Sequence, residues 1–255
     1  MRMSSLFKDF NKVDIAIERL KTFEPEEGFY LAFSGGKDSI VLYDLALKAG
    51  VKFDSHFNLT TVDPPELLQY IKKNYPMAKI ELPKKSMRAL IIERRCPPLR
   101  TRRYCCEELK ERGGYGRFVL TGIRAEESKS RSGRRLVENC KSENKKILHP
   151  IIDWTEQEIW DYIFSNKLPY CKLYDEGFKR IGCIGCPCPG VKEMKRDFAR
   201  WPKFYQMYIN SFDMMVKKMI RDGLKTPWKN GIEVYRWWVK ESKTFDGGLF
   251  PANKG

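Results

Sequence analysis

Six consecutive residues, Ser34-Gly35-Gly36-Lys37-Asp38-Ser39, are of the types that hold a phosphate. Gly35 and Gly36 let backbone N–H groups approach an anion, Lys37 counters its charge, and the Ser34 and Ser39 hydroxyls can donate hydrogen bonds. Asp38 reads either as a magnesium ligand or as a carboxylate favoured by a helix start. A Walker A loop would place Ser or Thr after the lysine, and Asp38 stands there instead. Eight cysteines supply a second chemistry. Cys105 and Cys106 are adjacent, and Cys183 and Cys186 frame a Cys-Ile-Gly-Cys turn. Such a turn can point two thiolates at one centre, and thiolates select zinc or iron–sulfur clusters. Redox exchange of the thioredoxin type is the competing use of Cys-x-x-Cys, although here the motif comes late in the chain and not after a first strand.

These groups need elements to position them. Phe29–Ala32 is an apolar tetrad that reads as a buried strand, and Ile40, Val41, Leu42, Leu45 and Leu47 form the stripe of a helix that stops at Gly50. Strand, glycine loop and helix together build an anion site at the helix N-terminus. Further strands are expected over 51–62, 77–82, 118–121 and 147–154, with helices over 4–23, 67–74 and 86–95. Thr155 and Glu158 have capping-box spacing and predict a helix through Ile159, Trp160 and Ile163. Pro202 and Gly223 bound a long helix with Phe204, Tyr208, Phe212, Met215 and Met219 on a core face, and Trp228, Tyr235, Trp237 and Trp238 dock a tail helix. Alternating strands and helices imply an α/β fold, a parallel sheet flanked by helices, with ligands at its carboxyl edge. The expected division is an N-terminal helix at 1–25, a nucleotide-binding α/β domain at 26–170, and a cysteine motif with helical extension at 171–255.

The net charge is +15, from 48 basic and 33 acidic residues. Lys84–Arg135 holds sixteen Lys/Arg against six Asp/Glu, so this stretch draws nucleotides, sulfate or a nucleic-acid backbone, with a plain solvated surface as the alternative. Aromatics are scarce there, so base stacking is not evident. No apolar run is long enough to span a membrane and the first residues lack a signal-peptide core, which gives the cytoplasm as the expected compartment. In a cytosolic chain eight cysteines point to metal or catalysis and away from disulfides. His56 and His149, the only histidines, lie in apolar strand-like stretches and read as satisfied core residues. Cys96 reads as a small buried hydrophobe.

The SGGKDS stretch resembles the pyrophosphate loop of the PP-loop ATP pyrophosphatase superfamily, of adenine nucleotide α-hydrolase-like fold. Together with Cys105-Cys106, the Gly122-Ile123-Arg124 segment and Cys183-x-x-Cys186, it looks like the cluster-bearing branch of the phosphoadenylyl-sulfate (PAPS/APS) reductase family over roughly residues 28 to 190. The resemblance implies ATP or adenylyl sulfate as the bound adenine nucleotide, with Ser34, Gly35, Gly36, Lys37, Asp38 and Ser39 on its phosphates. Gly122 and Arg124 would sit at the same site, with Lys37, Asp38 and Arg124 carrying the chemistry and Mg²⁺ on Asp38. Thr60, Thr61 and Asp63, in the loop that covers the adenosine in this superfamily, become ribose or base contacts, with a surface turn and helix cap as the alternative. A 4Fe–4S cluster would be held by Cys105, Cys106, Cys183 and Cys186. A quartet with Cys140 and Cys171 in place of the adjacent pair stays open, as does zinc, and Cys188 is either a persulfide carrier or a bystander.

Family reductases carry a nucleophilic cysteine in a Glu-Cys-Gly-x-His segment near the C-terminus, whereas this chain has no cysteine after Cys188 and no histidine after His149. That departure favours the branch of sulfur-inserting enzymes of DNA phosphorothioation and tRNA thiolation: an ATP-dependent sulfurtransferase releasing AMP and pyrophosphate. Sulfonucleotide reduction and a nucleotide-binding subunit with a structural zinc are the rivals. The expected partners are a nucleic acid (DNA or tRNA) and a sulfur donor such as a cysteine desulfurase, with no membrane. A homo-oligomer is left open. The nucleotide's phosphates and the thiolate centre are expected to share one cavity at the mouth of the sheet.

Overall fold

The computed structural model describes residues 11–111, 113–140 and 144–241. The order along the chain is α1 (Lys12–Thr22), β1 (Phe29–Ala32), α2 (Lys37–Ala49), β2 (Phe53–Asn58), α3 (Pro65–Asn74), β3 (Lys79–Glu81), α4 (Met87–Arg94), α5 (Tyr104–Leu109), β4 (Phe118–Leu120), α6 (Lys129–Ser132), β5 (Val137–Cys140), β6 (Lys145–Leu148), α7 (Glu156–Ser165), α8 (Val191–Arg200), α9 (Pro202–Arg221) and α10 (Gly231–Glu241). They form two compact units.

The first unit takes the described residues up to Asn58, Pro65–Glu81, and those from 113 to Ile181. It holds the whole sheet, ordered β3-β2-β1-β4-β6-β5. β1 pairs in parallel with β2 and β4, β2 with β3, and β4 with β6; β5 alone runs antiparallel, on β6. β1 is central, and Phe29, Tyr30 and Leu31 are buried in it, which is why the tetrad reads as a continuous apolar run. α1 packs on α2, and α2 on α7. Ile40, Leu42, Leu45, Leu148, Ile159 and Ile163 are at most 1% exposed, and each such side chain contributes about 1.5–3 kcal/mol by leaving water. Gly50 ends α2 in the left-handed conformation, as its position at the end of the apolar stripe predicts. Thr155 and Glu158 make the expected capping box on α7.

Several elements are shorter than expected. The second strand ends at Asn58 and not at Val62, because Thr61 takes a positive φ of 64° that no strand accommodates. The strand expected over 147–154 is β6, which stops at Leu148 before turns at Ile152 and Trp154. The first helix starts at Lys12, and the expected turns at residues 4–10 lie outside the described residues. Lys129–Ser132 fold into the short helix α6, and the chain runs on through Arg134 into β5.

The second unit comprises Leu59–Pro64, Leu82–Glu111 and the described residues from 182 on. It is helical: α9 packs on α4, α8 and α10. Tyr208, Phe212, Met215 and Met219 are buried along α9, as the helical spacing predicts. Trp238 of α10 is fully buried among Tyr208 and Phe212, and its indole N–H donates to the Pro98 carbonyl at 2.6 Å. Among the described residues no helix is long and apolar enough to cross a membrane.

Candidate functional site

In the first unit the Ser34–Ser39 loop joins β1 to α2. Gly35 has φ +68°, and a Cβ there would stand 2.7 Å from Ile71 Cδ1, so both conformation and space demand glycine. Gly36 is the N-cap of α2. The two serines are spent on the loop itself. Ser34 Oγ donates to Ser39 Oγ at 3.2 Å and accepts the Gly36 N–H at 3.3 Å, while Ser39 Oγ donates to the Gly36 carbonyl at 2.9 Å. This cross-bracing sets the backbone shape before any ligand arrives.

Lys37 lies at the first turn of α2 and is 6% exposed. Its backbone N–H donates to the Tyr174 hydroxyl at 2.9 Å, and burial pushes that phenol's pKa up, so it stays a neutral acceptor. The ammonium stands 3.3 Å from the Lys179 carbonyl, 3.4 Å from Glu156 Oε1 and 3.9 Å from Asp38 Oδ2. Arg124, 2% exposed, follows β4 and bonds Asp38 Oδ1 at 2.6 Å, Glu126 Oε2 at 2.9 Å and the Trp154 carbonyl at 3.3 Å. Burial disfavours its charge; Asp38, and after it the nearby glutamates, more than offset this and raise its pKa. Gly122 permits the approach of the two segments, since a Cβ there would meet the Asp38 backbone at 3.0 Å. Thus Ser34, Gly35, Gly36, Lys37, Asp38, Ser39, Gly122 and Arg124 are brought together. Asp38 is held by Arg124 and faces Lys37. Arg131 pairs with Glu127 and Arg134 with Glu138, so both are tied within their own segment.

Both histidines are buried. His56 lies between Asp54 at 2.6 Å and Glu81 at 2.7 Å, and His149 Nδ1 is 2.6 Å from Thr121 Oγ1.

The second unit holds six cysteines, and five of them interact. Cys105 and Cys106 open α5, where the Cys105 thiol is hydrogen-bonded to Cys106 and feels the charges of Cys183 and Cys186. The Cys183–Cys186 turn is closed by the Cys186 N–H on the Cys183 carbonyl at 3.2 Å. Gly185 within it has φ +72° and packs so closely on Phe198 that a Cβ would fall 2.5 Å from that ring. Ile184 N–H donates to the Val62 carbonyl at 2.8 Å, and the Cys183 thiol to Thr60 Oγ1 at 3.4 Å. Cys186 is hydrogen-bonded to Cys188. Two cations face these sulfurs: Arg103 donates to Cys106 Sγ at 3.3 Å, and Lys110 is raised in pKa by Cys183 and then by Asp63. The Cys105 thiol and then Arg103 hold the Cys106 thiol below its ordinary value, which favours its thiolate. Cys105 and Cys186 shift up, each through its hydrogen bond to a neighbouring cysteine and through burial.

Thr60 and Asp63 are buried in this unit; the Thr60 N–H donates to Asp63 Oδ2 at 2.6 Å, and Thr61 Oγ1 accepts the Met87 N–H at 2.9 Å at the start of α4. Cys96 is fully buried, and burial pushes it up to about 11. Cys140 and Cys171 belong to the first unit.

Among the described residues no three His, Cys, Asp or Glu side chains stand as ligands of one metal ion. A cubane cluster makes a different demand, because it offers each thiolate its own iron and needs no convergence on a point. Soft sulfur donors backed by two cations fit that group by type. The sequence reading missed Tyr174, Glu156, Arg103 and Lys110. The signal for the last two was present: basic residues flanking a cysteine pair stabilise thiolate.

A family model for the phosphoadenosine phosphosulfate reductase domain matches residues 28–189. A protein of Methanocaldococcus jannaschii is 33% identical over 194 residues, covering 71% of this chain and 40% of its own length, so the chain spans less than half of that relative. The adenosine 5'-phosphosulfate reductase of Staphylococcus haemolyticus is 30% identical over 189 residues, covering 67% of this chain and 75% of that enzyme. In fold, the chain is similar to the phosphoadenylyl-sulfate reductase of Candida auris, solved as a phosphate complex, with a TM-score of 0.51 and 18% identity over 72% of this chain and 97% of that one.

Proposed function

The chain belongs to the phosphoadenosine phosphosulfate reductase domain family, and from that premise we propose that it is an adenine-nucleotide-dependent enzyme of sulfur transfer. The finer reading is a sulfurtransferase that splits ATP into AMP and pyrophosphate to activate an acceptor on DNA or tRNA. The observation that carries it is the gathering of Cys105, Cys106, Cys183 and Cys186 in one unit, beside Arg103 and Lys110. Gly35 presents its backbone N–H to the phosphates, Gly36, whose own N–H is held by Ser34, leaves room for the anion at the start of α2, and Ser39 keeps that backbone in shape. Lys37 and Arg124 meet the charge that builds on departing pyrophosphate. Asp38, oriented by Arg124, would hold a magnesium ion, which would supply further charge neutralisation at the phosphates. Cys105, Cys106, Cys183 and Cys186 would hold the 4Fe–4S cluster, which supplies a site for sulfur or electron exchange. Thr60 braces Cys183, and Asp63 balances Lys110. The basic run Lys84–Arg135 is the phosphate-backbone track of this reading, and a cysteine desulfurase the donor it calls for.

Reduction of adenylyl sulfate is a second reading, favoured by the names of relatives about 30% identical. Anaerobic purification followed by product analysis separates the two. A brown protein that forms AMP and pyrophosphate from ATP, with a loss of about 100-fold or more in Lys37→Ala, supports the transferase. Sulfite from adenylyl sulfate and reduced thioredoxin replaces it with the reductase. A colourless preparation with one zinc and no turnover sinks both.

A further inference from the structure

We infer that Glu156 regulates anion binding at the Ser34–Ser39 loop by occupying the Lys37 ammonium until a phosphate displaces it. This rests on the phosphate reading of the loop given above. The Lys37 side chain is only 7% exposed, so its charge is met by protein groups more than by water. Around it stand the Lys179 carbonyl at 3.3 Å, Glu156 Oε1 at 3.4 Å, Asp38 Oδ2 at 3.9 Å and the Tyr174 ring at 5.7 Å. The carbonyl and the ring belong to the frame. Asp38 is committed to Arg124 at 2.6 Å.

Glu156 differs from all of these. Its side chain is 54% exposed, so the carboxylate can swing into water at little cost. Its backbone is anchored, because the Glu156 N–H donates to Glu126 Oε2 at 2.5 Å and the residue opens α7 behind the Thr155 cap. A carboxylate on such a tether competes with any entering anion at high local concentration. Glu156 therefore acts through Lys37 as a positioning residue: it keeps the ammonium in place when the loop is empty, and an entering anion has to displace it from that ammonium.

The test is calorimetric titration of inorganic pyrophosphate into the full chain, as wild type, Glu156→Gln, Lys37→Met and the double variant. Glu156→Gln should bind about 3- to 10-fold more tightly at low salt, with the gain shrinking as salt rises and vanishing in the Lys37→Met background. Pyrophosphate binding that is equal in wild type and Glu156→Gln overturns the inference while leaving the loop reading intact. So does a gain that persists without Lys37, which would be a general charge effect. Failure of all four proteins to bind pyrophosphate overturns the loop reading, and the role of Glu156 with it.

Discussion

A guanidinium that is 2% exposed has given up its water, and Arg124 keeps its charge only through what surrounds it. Asp38, Glu126 and the Trp154 carbonyl replace that water, and the same bonds hold Asp38 at the start of α2. The partners that Arg124 would leave behind are not stranded, since the Asp38 side chain is 22% exposed and that of Glu126 52%. Arg124→Ala should therefore lower unfolding stability by about 1–3 kcal/mol in urea titrations, without a change in m-value. Arg124→Lys should recover only part of this, since an ammonium cannot reproduce the fork. A loss below about 1 kcal/mol for Arg124→Ala would mean that Asp38 finds another partner. Arg124 was legible as a candidate site cation from its place after a strand, but its burial was not, because burial depends on Trp154 and Glu126 folding over it.

At the scale of elements, α8 shows how a helix disciplines a metal-type turn. Asp197 on α8 accepts the Gly185 N–H at 3.0 Å and so pins the Cys183–Cys186 turn from behind. Burial raises its pKa from 3.8 to about 6. The folded chain thus holds this proton more tightly than the unfolded one, so the contribution is fully present below about pH 4 and is lost as pH rises through 6. Asp197→Asn keeps an acceptor and cannot ionise. It should flatten the stability profile between pH 4 and 6 and gain roughly 1–2 kcal/mol at neutral pH, allowing for partial exposure, as read by scanning calorimetry. An unchanged profile would show that Asp197 titrates alike in the folded and the unfolded chain. α8 itself was not expected from the sequence, although Val191, Met194 and Phe198 recur there at helical spacing among charges; the signal was present and was passed over beside the cysteine motif. The capping box at Thr155 and the long α9 were plain because their signals are local and dense.

On the scale of the whole molecule, each unit is sewn from separate stretches of chain. In the second unit Trp238 ties two of them, touching Tyr208 and Phe212 of α9 in its own stretch and donating to Pro98 in Leu82–Glu111. Trp238→Ala should cost about 3–5 kcal/mol and speed alkylation of Cys105, Cys106, Cys183 and Cys186, whose turn is held by the Tyr208 hydroxyl on the Ile184 carbonyl. Lost stability with unaltered thiol reactivity would separate the aromatic core from the cysteine site. The phosphate loop, the strand before it, the helix after it and the spacing of the cysteines could all be read in one dimension, because glycine torsions, helical period and thiol chemistry are properties of neighbours. Which charges meet was decided in three dimensions. Arg124 reaches Asp38 across 86 residues, Tyr174 reaches Lys37 across 137, and Cys183 reaches Thr60 across 123. Local pattern carries no information about such pairings, since each arises only when the sheet and the helices have brought distant segments within bonding reach.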